Sequence, residues 1–145
     1  MSDAAEIGPQ VGLLLRLAHQ RASRTFRDAL VPLGIDGRLF GVLSALGRLG
    51  PSTQARLITE LDADKSAMLR TVDDLEQRGL VERQSVPGDR RARIIALTAE
   101  GQQCLAAAER TAKQTSATLF ASMDPAQLVT LRDTLARFVA EGRQS

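Results

Sequence analysis

A capped helix that leads directly into a short hairpin is the feature of this sequence that most limits its fold. Apolar residues recur at helical spacing at Met68, Val72 and Leu75, which gives the segment one buried stripe. Asp64 is suited to cap this helix at its start, and Gly79 is suited to the position just beyond its end. We therefore predict a helix between these two residues.

Two extended stretches follow this helix. They run from Leu80 to Val86 and from Arg93 to Leu97, and the segment that joins them includes Pro87 and Gly88. Proline and glycine between two extended segments are typical of a β-hairpin. The chain is therefore predicted to fold back on itself here as a small antiparallel ribbon.

Three helices are predicted before this unit. They span about Pro9–Leu30, about Asp36–Leu49 and about Thr53–Glu60, and the second and third have Asp36 and Ser52 as candidate caps. Only a short turn separates the third helix from the fourth. Two short helices joined by a tight turn form a helix-turn-helix, and a hairpin directly after them forms a wing.

Two more helices are predicted after the hairpin. Thr98 caps a long one that reaches about Met123. Asp124, Pro125 and Gln127 supply the cap, first-turn proline and capping-box residue of the next. The predicted fold is mainly α with a small β-hairpin wing, a winged helix-turn-helix with additional helices at both ends.

The residue inventory argues against an enzyme or a metalloprotein. Among 145 residues there is one cysteine and one histidine, which excludes an intrachain disulfide and a cysteine–histidine zinc site. There is no glycine-rich phosphate loop, no Gly-x-Ser-x-Gly motif, and no signal-like or membrane-spanning apolar segment. We expect no catalytic residues, no metal, no cofactor and no membrane partner, and we expect a cytoplasmic location.

The outer face of the fourth helix carries residues that we predict to contact DNA. With its apolar stripe turned inward, the helix presents small, polar and basic residues at the end that a recognition helix inserts into the major groove. These residues are Lys65, Ser66, Ala67 and Arg70. Arg70 can bond a guanine edge with two donors. Further candidate contacts at the start of the third helix are Ser52, Thr53 and Gln54.

The hairpin is rich in arginine. Its arginines are Arg83, Arg90, Arg91 and Arg93. A glycine-containing tip flanked by arginines suits a minor groove, whose negative potential attracts guanidinium groups. Asp89 is expected either to fix the wing or to hold an arginine in position. The candidate DNA contacts here are Asp89, Arg90 and Arg91, and the alternative is an ordinary solvated loop.

The first and last predicted helices lie outside the winged unit, and each has an apolar stripe that so small a core cannot fully cover. A symmetric homodimer is the commonest way to bury such stripes, and it would place two recognition helices roughly 34 Å apart, one turn of DNA. We therefore assign residues 1–34 as an N-terminal dimerisation helix, 35–97 as the winged DNA-binding domain and 98–145 as C-terminal dimerisation helices. The alternative is that the terminal helices pack back on their own subunit.

Four stretches of the sequence resemble the MarR family of bacterial transcriptional regulators. They are Asp64-Lys65-Ser66-Ala67-Met68-Leu69-Arg70, Leu75-Glu76-Gln77-Arg78-Gly79-Leu80-Val81-Glu82-Arg83, Gly88-Asp89-Arg90-Arg91 and Leu97-Thr98-Ala99-Glu100-Gly101. The resemblance implies a homodimer that is joined through its first, fifth and sixth helices and binds a pseudo-palindromic operator in double-stranded DNA. It also implies a repressor, which in many members is released by a small aromatic or phenolic ligand.

The resemblance also implies roles for particular residues. The wing motif Asp-X-Arg of the family corresponds to Asp89 and Arg91, which makes Arg91 the expected minor-groove residue. A ligand would lie between the winged domain and the dimerisation helices. The candidate ligand-binding residues there are the cation Arg16 and the stacking residues Phe26 and Phe40.

Two departures from the family pattern bear on function. Ala67 and Leu69 replace residues that are often polar, so base contacts are expected to be sparser. The first helix lacks the cysteine of the peroxide-sensing branch, and Cys104 lies in the fifth helix instead. A buried, unreactive thiol is expected there, and the alternative is a redox switch through an intersubunit disulfide.

Other functions of a winged helix stay open beside a sequence-specific regulator. The fold can serve as a protein-interaction module, although the arginine-rich wing argues against that role. It can also serve as a non-specific architectural DNA binder. Salt dependence separates protein binding from DNA binding, because phosphate contacts release counterions and weaken steeply as salt rises.

Overall fold

The computed structural model describes residues 3–144. Within this range it has six α-helices, a 3₁₀ turn at Val31–Leu33 and one three-stranded antiparallel sheet. The helices are α1 (Ala4–Leu30), α2 (Gly37–Leu49), α3 (Gln54–Leu61), α4 (Lys65–Gln77), α5 (Ala99–Leu119) and α6 (Pro125–Gly142). The strands are β1 (Ser52–Thr53), β2 (Val81–Val86) and β3 (Asp89–Leu97), in the order β1-β3-β2. The prediction of a mainly helical fold with a hairpin wing is confirmed.

Four of the helices begin where the sequence places their caps. In each, the cap side chain accepts a hydrogen bond from a backbone N–H of the first turn. The caps are Asp36 for α2, Asp64 for α4, Thr98 for α5 and Asp124 for α6. At Asp124 the Gln127 side chain also accepts from the cap backbone, which completes a capping box. These bonds satisfy donors that a helix start leaves unpaired and so fix the helix boundaries.

Two predicted helix boundaries are wrong. α1 begins at Ala4 rather than near Pro9, because Asp3 caps it. The helix continues through Pro9, whose fixed φ is helical, without the hydrogen bond that a backbone N–H would donate to the Ala5 carbonyl. α5 ends at Leu119 rather than near Met123, because the residues after it form the turn that brings α6 to its own capping box.

The prediction that Ser52 caps the third helix is wrong. Thr53 is the cap, and its hydroxyl accepts from the Arg56 backbone N–H at 3.2 Å. Ser52 is instead a buried residue of β1, paired with Ile95 of β3, and its hydroxyl donates to the Gly50 carbonyl at 2.9 Å. A strand of two residues is too short to show an alternating pattern, so β1 could not be predicted from the sequence.

The wing is longer and tighter than predicted. β3 begins at Asp89 rather than at Arg93, so the predicted loop is reduced to a turn at Pro87 and Gly88. Gly88 has φ 84°, a conformation that favours glycine. The pairing register shifts between Ser85 and Val86. Most residues near the tip are exposed, so this part of β3 lacks the apolar alternation that would have identified it.

The core lies around α2, which packs against α3, α4, β3 and α5. Its largest fully buried side chains are Leu30, Leu39, Val42, Leu43, Leu46, Leu57, Val72, Leu75, Val81 and Ile95. This core holds the helix-turn-helix and the base of the wing together, so it determines which faces of α4 and the hairpin reach solvent.

The terminal helices contribute little to this core. α1 buries only Leu30, and no described residue of α6 is buried. Large apolar side chains on both helices are at least 36% exposed: Ile7, Val11, Leu13, Leu14, Leu17, Leu128, Val129, Leu131, Phe138 and Val139. No single helix between residues 3 and 144 is long and apolar enough to cross a membrane. Among the described residues, one pair of helices, Ala4–Leu33 and Gly37–Leu49, together has the length and apolar composition of a membrane span, but the pair is bent by 80°.

The start of α5 is fastened to the chain segment that follows α4. The Thr98 hydroxyl donates to the Gly79 carbonyl at 2.6 Å and accepts from the Gly101 backbone N–H at 3.0 Å. The helix approaches so closely that a Cβ on Gly101 would lie 1.9 Å from the Leu80 carbonyl oxygen. Glycine is therefore required at this position for packing rather than for backbone conformation.

Gly101→Ala is expected to destabilise the fold by about 1–3 kcal/mol, because the added methyl group forces α5 away from the Leu80 backbone. Gly41→Ala is the matched control, since Gly41 also lies inside a helix and nothing lies within 4 Å of a Cβ placed there. Alanine at Gly41 is expected to leave stability unchanged or to raise it by up to about 1 kcal/mol. Urea unfolding measures both variants, and equal midpoints would contradict the close contact.

Candidate nucleic-acid interface

The amino-terminal half of α4 is an exposed, basic surface. Asp64 fixes its start by accepting from the Ala67 backbone N–H at 2.9 Å. Lys65, Ser66 and Arg70 are exposed on the outer side, and their side chains have no hydrogen-bond or ion-pair partner within residues 3–144. These three predicted contacts therefore lie together at the helix start, free to bind an outside partner.

Ala67 differs from the sequence prediction. Ala67 is half-buried and lines a small cavity against α2 beside Gly41, so it does not lie fully on the outer face. Leu69 is 47% exposed and takes a place on the solvent side of α4. The apolar stripe of α4 did not predict the burial of Ala67, because α2 covers more of the α4 surface than the stripe alone indicates.

The predicted contacts at the start of α3 are only partly available. Ser52 is 2% exposed and its hydroxyl is bonded to its own chain, so it is withdrawn from the candidate contacts. Thr53 is exposed, although its hydroxyl caps α3, and Gln54 is half-buried. This segment therefore offers Thr53 and Gln54 beside α4.

Asp89 fixes the turn of the wing. Its carboxylate accepts from the backbone N–H groups of Arg91 at 3.0 Å and Ala92 at 3.3 Å. Of the two roles predicted for Asp89, the structure has the first, in which the carboxylate holds the wing backbone rather than a guanidinium group. These two backbone hydrogen bonds explain why an acidic residue, Asp89, lies beside the candidate DNA-binding surface.

The four arginines of the hairpin fall into two groups. Arg93 folds back and donates to the carbonyls of Arg90 at 3.2 Å and Ala92 at 3.3 Å. Arg83 is held by carboxylates of α4. The guanidinium groups of Arg90 and Arg91 are exposed and have no partner in the described part of the chain. Within the described residues, Arg90 and Arg91 are therefore the hairpin arginines whose guanidinium groups are wholly unpaired.

The cluster around Arg83 was not predicted from the sequence. Its guanidinium lies 2.6 Å from Asp73 and 2.8 Å from Glu76, and its backbone N–H donates to Glu76 at 3.3 Å. Burial lowers the pKa of Arg83, but the hydrogen bonds and attraction to the two carboxylates outweigh it, so the pKa lies above its ordinary value. The spacing of Asp73 and Glu76 on one helix face was the available signal.

A separate cavity of about 620 Å³ lies beside α2 and α5. Phe40 lines it, as predicted for a ligand site, together with Glu109, Arg110 and Lys113. Arg16 and Phe26, the other predicted ligand residues, are not among the residues that line it in one chain. The cations of this cavity therefore come from α5 rather than from α1.

Cys104 is half-buried and packs against the core. Burial raises the pKa of its thiol, and the nearby Arg78 opposes the shift only in part. The thiolate is therefore disfavoured, which supports the expectation of an unreactive cysteine. No group of three or more histidine, cysteine, aspartate or glutamate residues that could hold a metal ion occurs between residues 3 and 144.

Known proteins that resemble this chain in sequence are transcriptional regulators. A sequence model of the MarR family matches residues 33–92. The chain is 33% identical to the HTH-type transcriptional repressor NicR of Pseudomonas putida, over 92% of this chain and 85% of that protein.

Solved structures match over nearly the full length. A mutant of Escherichia coli MarR complexed with operator DNA aligns with a TM-score of 0.83 and 26% identity, over 95% of this chain and 99% of the other. Bordetella bronchiseptica BpsR, whose DNA binding is regulated by 6-hydroxynicotinic acid, aligns with a TM-score of 0.82 and 26% identity, over 90% and 98% of the two chains.

Arg70→Ala is expected to reduce discrimination between a specific site and random DNA, because a guanidinium that bonds a base edge is worth about 1–3 kcal/mol against the wrong base. Lys65→Ala is the comparison variant, and it is expected to weaken binding to both DNAs alike, as loss of a phosphate contact does. Parallel titrations with the two duplexes measure this. An equal loss on both duplexes for Arg70→Ala would make Arg70 a phosphate contact.

Proposed function

The chain belongs to the MarR family of winged-helix transcriptional regulators, and we propose that it represses transcription by binding a pseudo-palindromic operator as a homodimer. One observation carries the proposal. The start of α4 and the tip of the wing together present four cations without an intramolecular partner in the described residues, whereas Arg83 and Arg93 beside them are bonded internally. The four are Lys65, Arg70, Arg90 and Arg91.

Each part of this surface has a distinct role on DNA. The start of α4 enters the major groove, where Arg70 bonds a base edge and Lys65 contacts a phosphate. Ser66 is small enough to let the helix backbone approach the DNA closely. Arg91 at the wing tip enters the neighbouring minor groove, and Arg90 contacts the backbone beside it. The likeness to a MarR structure that contains operator DNA supports this placement.

The homodimer follows from the exposed apolar faces of α1 and α6. Members of the family act as dimers, and these two helices carry large apolar side chains that one chain leaves uncovered. We assign residues 1–34 and 98–145 to dimerisation and 35–97 to DNA binding. A two-fold axis then presents two α4 helices to successive major grooves, roughly 34 Å apart. This symmetry is the reason that the operator is pseudo-palindromic.

The proposal includes no catalytic activity. The residues that face solvent on α4 and the wing suit ionic and hydrogen-bond contacts, and the exposed Ser23–His19 contact of 3.4 Å lies apart from them on α1. A regulator of this kind works where the chromosome is, so we place it in the cytoplasm. A non-specific architectural role is the second candidate, and the free cations alone are compatible with it.

Fluorescence anisotropy with DNA from upstream of the protein's own coding sequence tests the proposed function. Tight binding that prefers this duplex over a scrambled one, and that weakens steeply as salt rises, is expected. Equal binding to both duplexes would favour the architectural role. Binding to neither would contradict the proposal and favour a protein-interaction module.

Arg91→Ala is expected to weaken binding to the operator by about 1–3 kcal/mol, because the wing loses its groove contact. Arg132→Ala is the charge-matched control, since this exposed arginine lies on α6 and is paired with Asp133. Anisotropy with the same duplex measures both variants, after sedimentation shows that each is still a dimer. Unchanged affinity for Arg91→Ala would remove Arg91 from the site.

The cavity between α2 and α5 is the proposed effector site. Phe40 supplies an aromatic wall, and Arg110 and Lys113 supply cations that suit a small aromatic carboxylate or phenolate. The likeness to BpsR, which responds to 6-hydroxynicotinic acid, supports a ligand of this class. Binding there would couple α5 to the DNA-binding domain through α2, because both helices line the cavity.

Lys113→Gln is expected to raise the concentration of 6-hydroxynicotinic acid needed to release DNA by about tenfold, because one charge-assisted bond to the carboxylate is lost. Arg16→Gln is the comparison, since Arg16 is the cation predicted from sequence and does not line the cavity in one chain. The readout is anisotropy of the bound duplex as the acid is added. If Arg16→Gln alone raised the concentration of acid needed to release DNA, the ligand site would lie nearer α1.

A further inference from the structure

Two adjacent aspartates in the second half of α4 pair with arginines from different parts of the fold. Asp73 pairs with an arginine of the wing, and Asp74 pairs with arginines of α2 and of the end of α4, which we call the body of the domain. Acidic side chains on a helix that binds DNA are unfavourable unless they serve another purpose, because they repel phosphate. The contacts of each aspartate show what that purpose is.

Asp73 belongs to a cluster that joins α4 to β2. Arg83, on β2, places one guanidinium nitrogen 2.6 Å from Asp73 and another 2.8 Å from Glu76. The Glu76 carboxylate also accepts from the Arg83 backbone N–H at 3.3 Å. The Arg83 side chain is only 23% exposed, so it is held more firmly than a surface ion pair, whose long side chains move freely.

The Asp74 carboxylate has no hydrogen bond or ion pair with the wing in the described residues. It lies 2.7 Å from Arg78 and 3.8 Å from Arg38 of α2. Arg78 also donates to the carbonyl of Gly34, at the junction of α1 and α2. These contacts connect α4 to the body of the domain, and so Asp74 offers a matched comparison for Asp73 on the next residue of the same helix.

We propose that Arg83 is a positioning residue that fastens the wing to the recognition helix through Asp73 and Glu76 and does not itself contact DNA. This inference rests on the proposed function. The three groups carry a net charge of −1, so the Arg83 charge is neutralised locally and has little attraction left for phosphate. What the cluster supplies is a fixed separation between Arg91 at the wing tip and Arg70 on α4.

A fixed separation matters because the wing is a thin hairpin. Beyond Arg83 its residues are exposed or half-buried until β3 returns to the core at Ile95. A ribbon of two strands is only marginally stable by itself. Holding it in place before DNA arrives avoids the entropy of ordering it during binding. Specific binding needs the wing and α4 engaged together, whereas non-specific binding tolerates a loose wing.

Hydrogen exchange of the free protein tests the fastening without DNA. Asp73→Asn, Glu76→Gln and Arg83→Gln are expected to speed amide exchange in β2 and β3 near the tip by about tenfold, because local opening becomes easier. Asp74→Asn removes the same charge one residue away and is expected to leave wing exchange unchanged. Equal acceleration by Asp73→Asn and Asp74→Asn, or none with Arg83→Gln, would overturn the proposal.

A salt series with operator DNA tests the second half of the proposal. Arg83→Gln is expected to weaken operator binding by about tenfold while the slope of log affinity against log salt stays that of the wild type. Arg91→Gln, which removes a proposed DNA contact, is expected to make the slope shallower by about one per subunit. A shallower slope for Arg83→Gln would show that Arg83 contacts phosphate and would overturn its positioning role.

One further variant, Arg83→Lys, and the two carboxylate variants keep the test valid if Arg83→Gln does not fold. Arg83→Lys retains the charge but cannot bond both carboxylates through a planar fork, so operator affinity between those of Arg83→Gln and the wild type is expected. Should Arg83→Gln unfold, Asp73→Asn and Glu76→Gln alter carboxylates that are 51% and 43% exposed and carry the test. Failure of the wild type to bind any DNA would refute the proposed function, and the exchange comparison would still decide whether Arg83 holds the wing.

Discussion

Met68, Val72 and Leu75 lie on one face of α4 and are at most 2% exposed, and this burial sets the orientation of the helix. Turning the helix would bring these side chains to solvent, at a cost of roughly 1.5–3 kcal/mol each. Lys65 and Arg70 are therefore committed to the outer face. The remaining features of the surface, including the position of the wing, are arranged relative to this fixed helix.

Electrostatics then sorts the basic residues of the winged unit. Exposed ion pairs contribute little to stability, about 0–1 kcal/mol each. Their effect here is on geometry, because Arg38, Arg78 and Arg83 are each held by a carboxylate in a defined place. Arg90 and Arg91 have no such carboxylate and stay available. The acids of α4 thus set Arg83 apart from Arg90 and Arg91.

Local features of the sequence predicted much of the fold. The caps Asp36, Asp64, Thr98 and Asp124 act through hydrogen bonds within a few residues, so their positions could be read directly. The apolar stripe of α4 and the turn of the hairpin are local in the same sense. The candidate surface followed from these, since its residues lie on one helix and one hairpin.

What escaped prediction depends on contacts between distant segments. β1 exists because Ser52 pairs with Ile95, far along the chain, and Ala67 is half-buried because α2 covers it. Arg83 looked like one more wing cation until the fold placed it against Asp73. The terminal helices show the same limit, because their large apolar side chains stay exposed within a single chain.

A structure of the protein bound to a duplex from its own upstream region would show how the winged unit meets DNA. We expect a two-fold dimer with the start of each α4 in a major groove, Arg91 in the adjacent minor groove, and Arg83 still paired with Asp73 and Glu76. A complex in which the wing lies away from the DNA, or in which another face of the winged unit contacts it, would contradict this mode of binding.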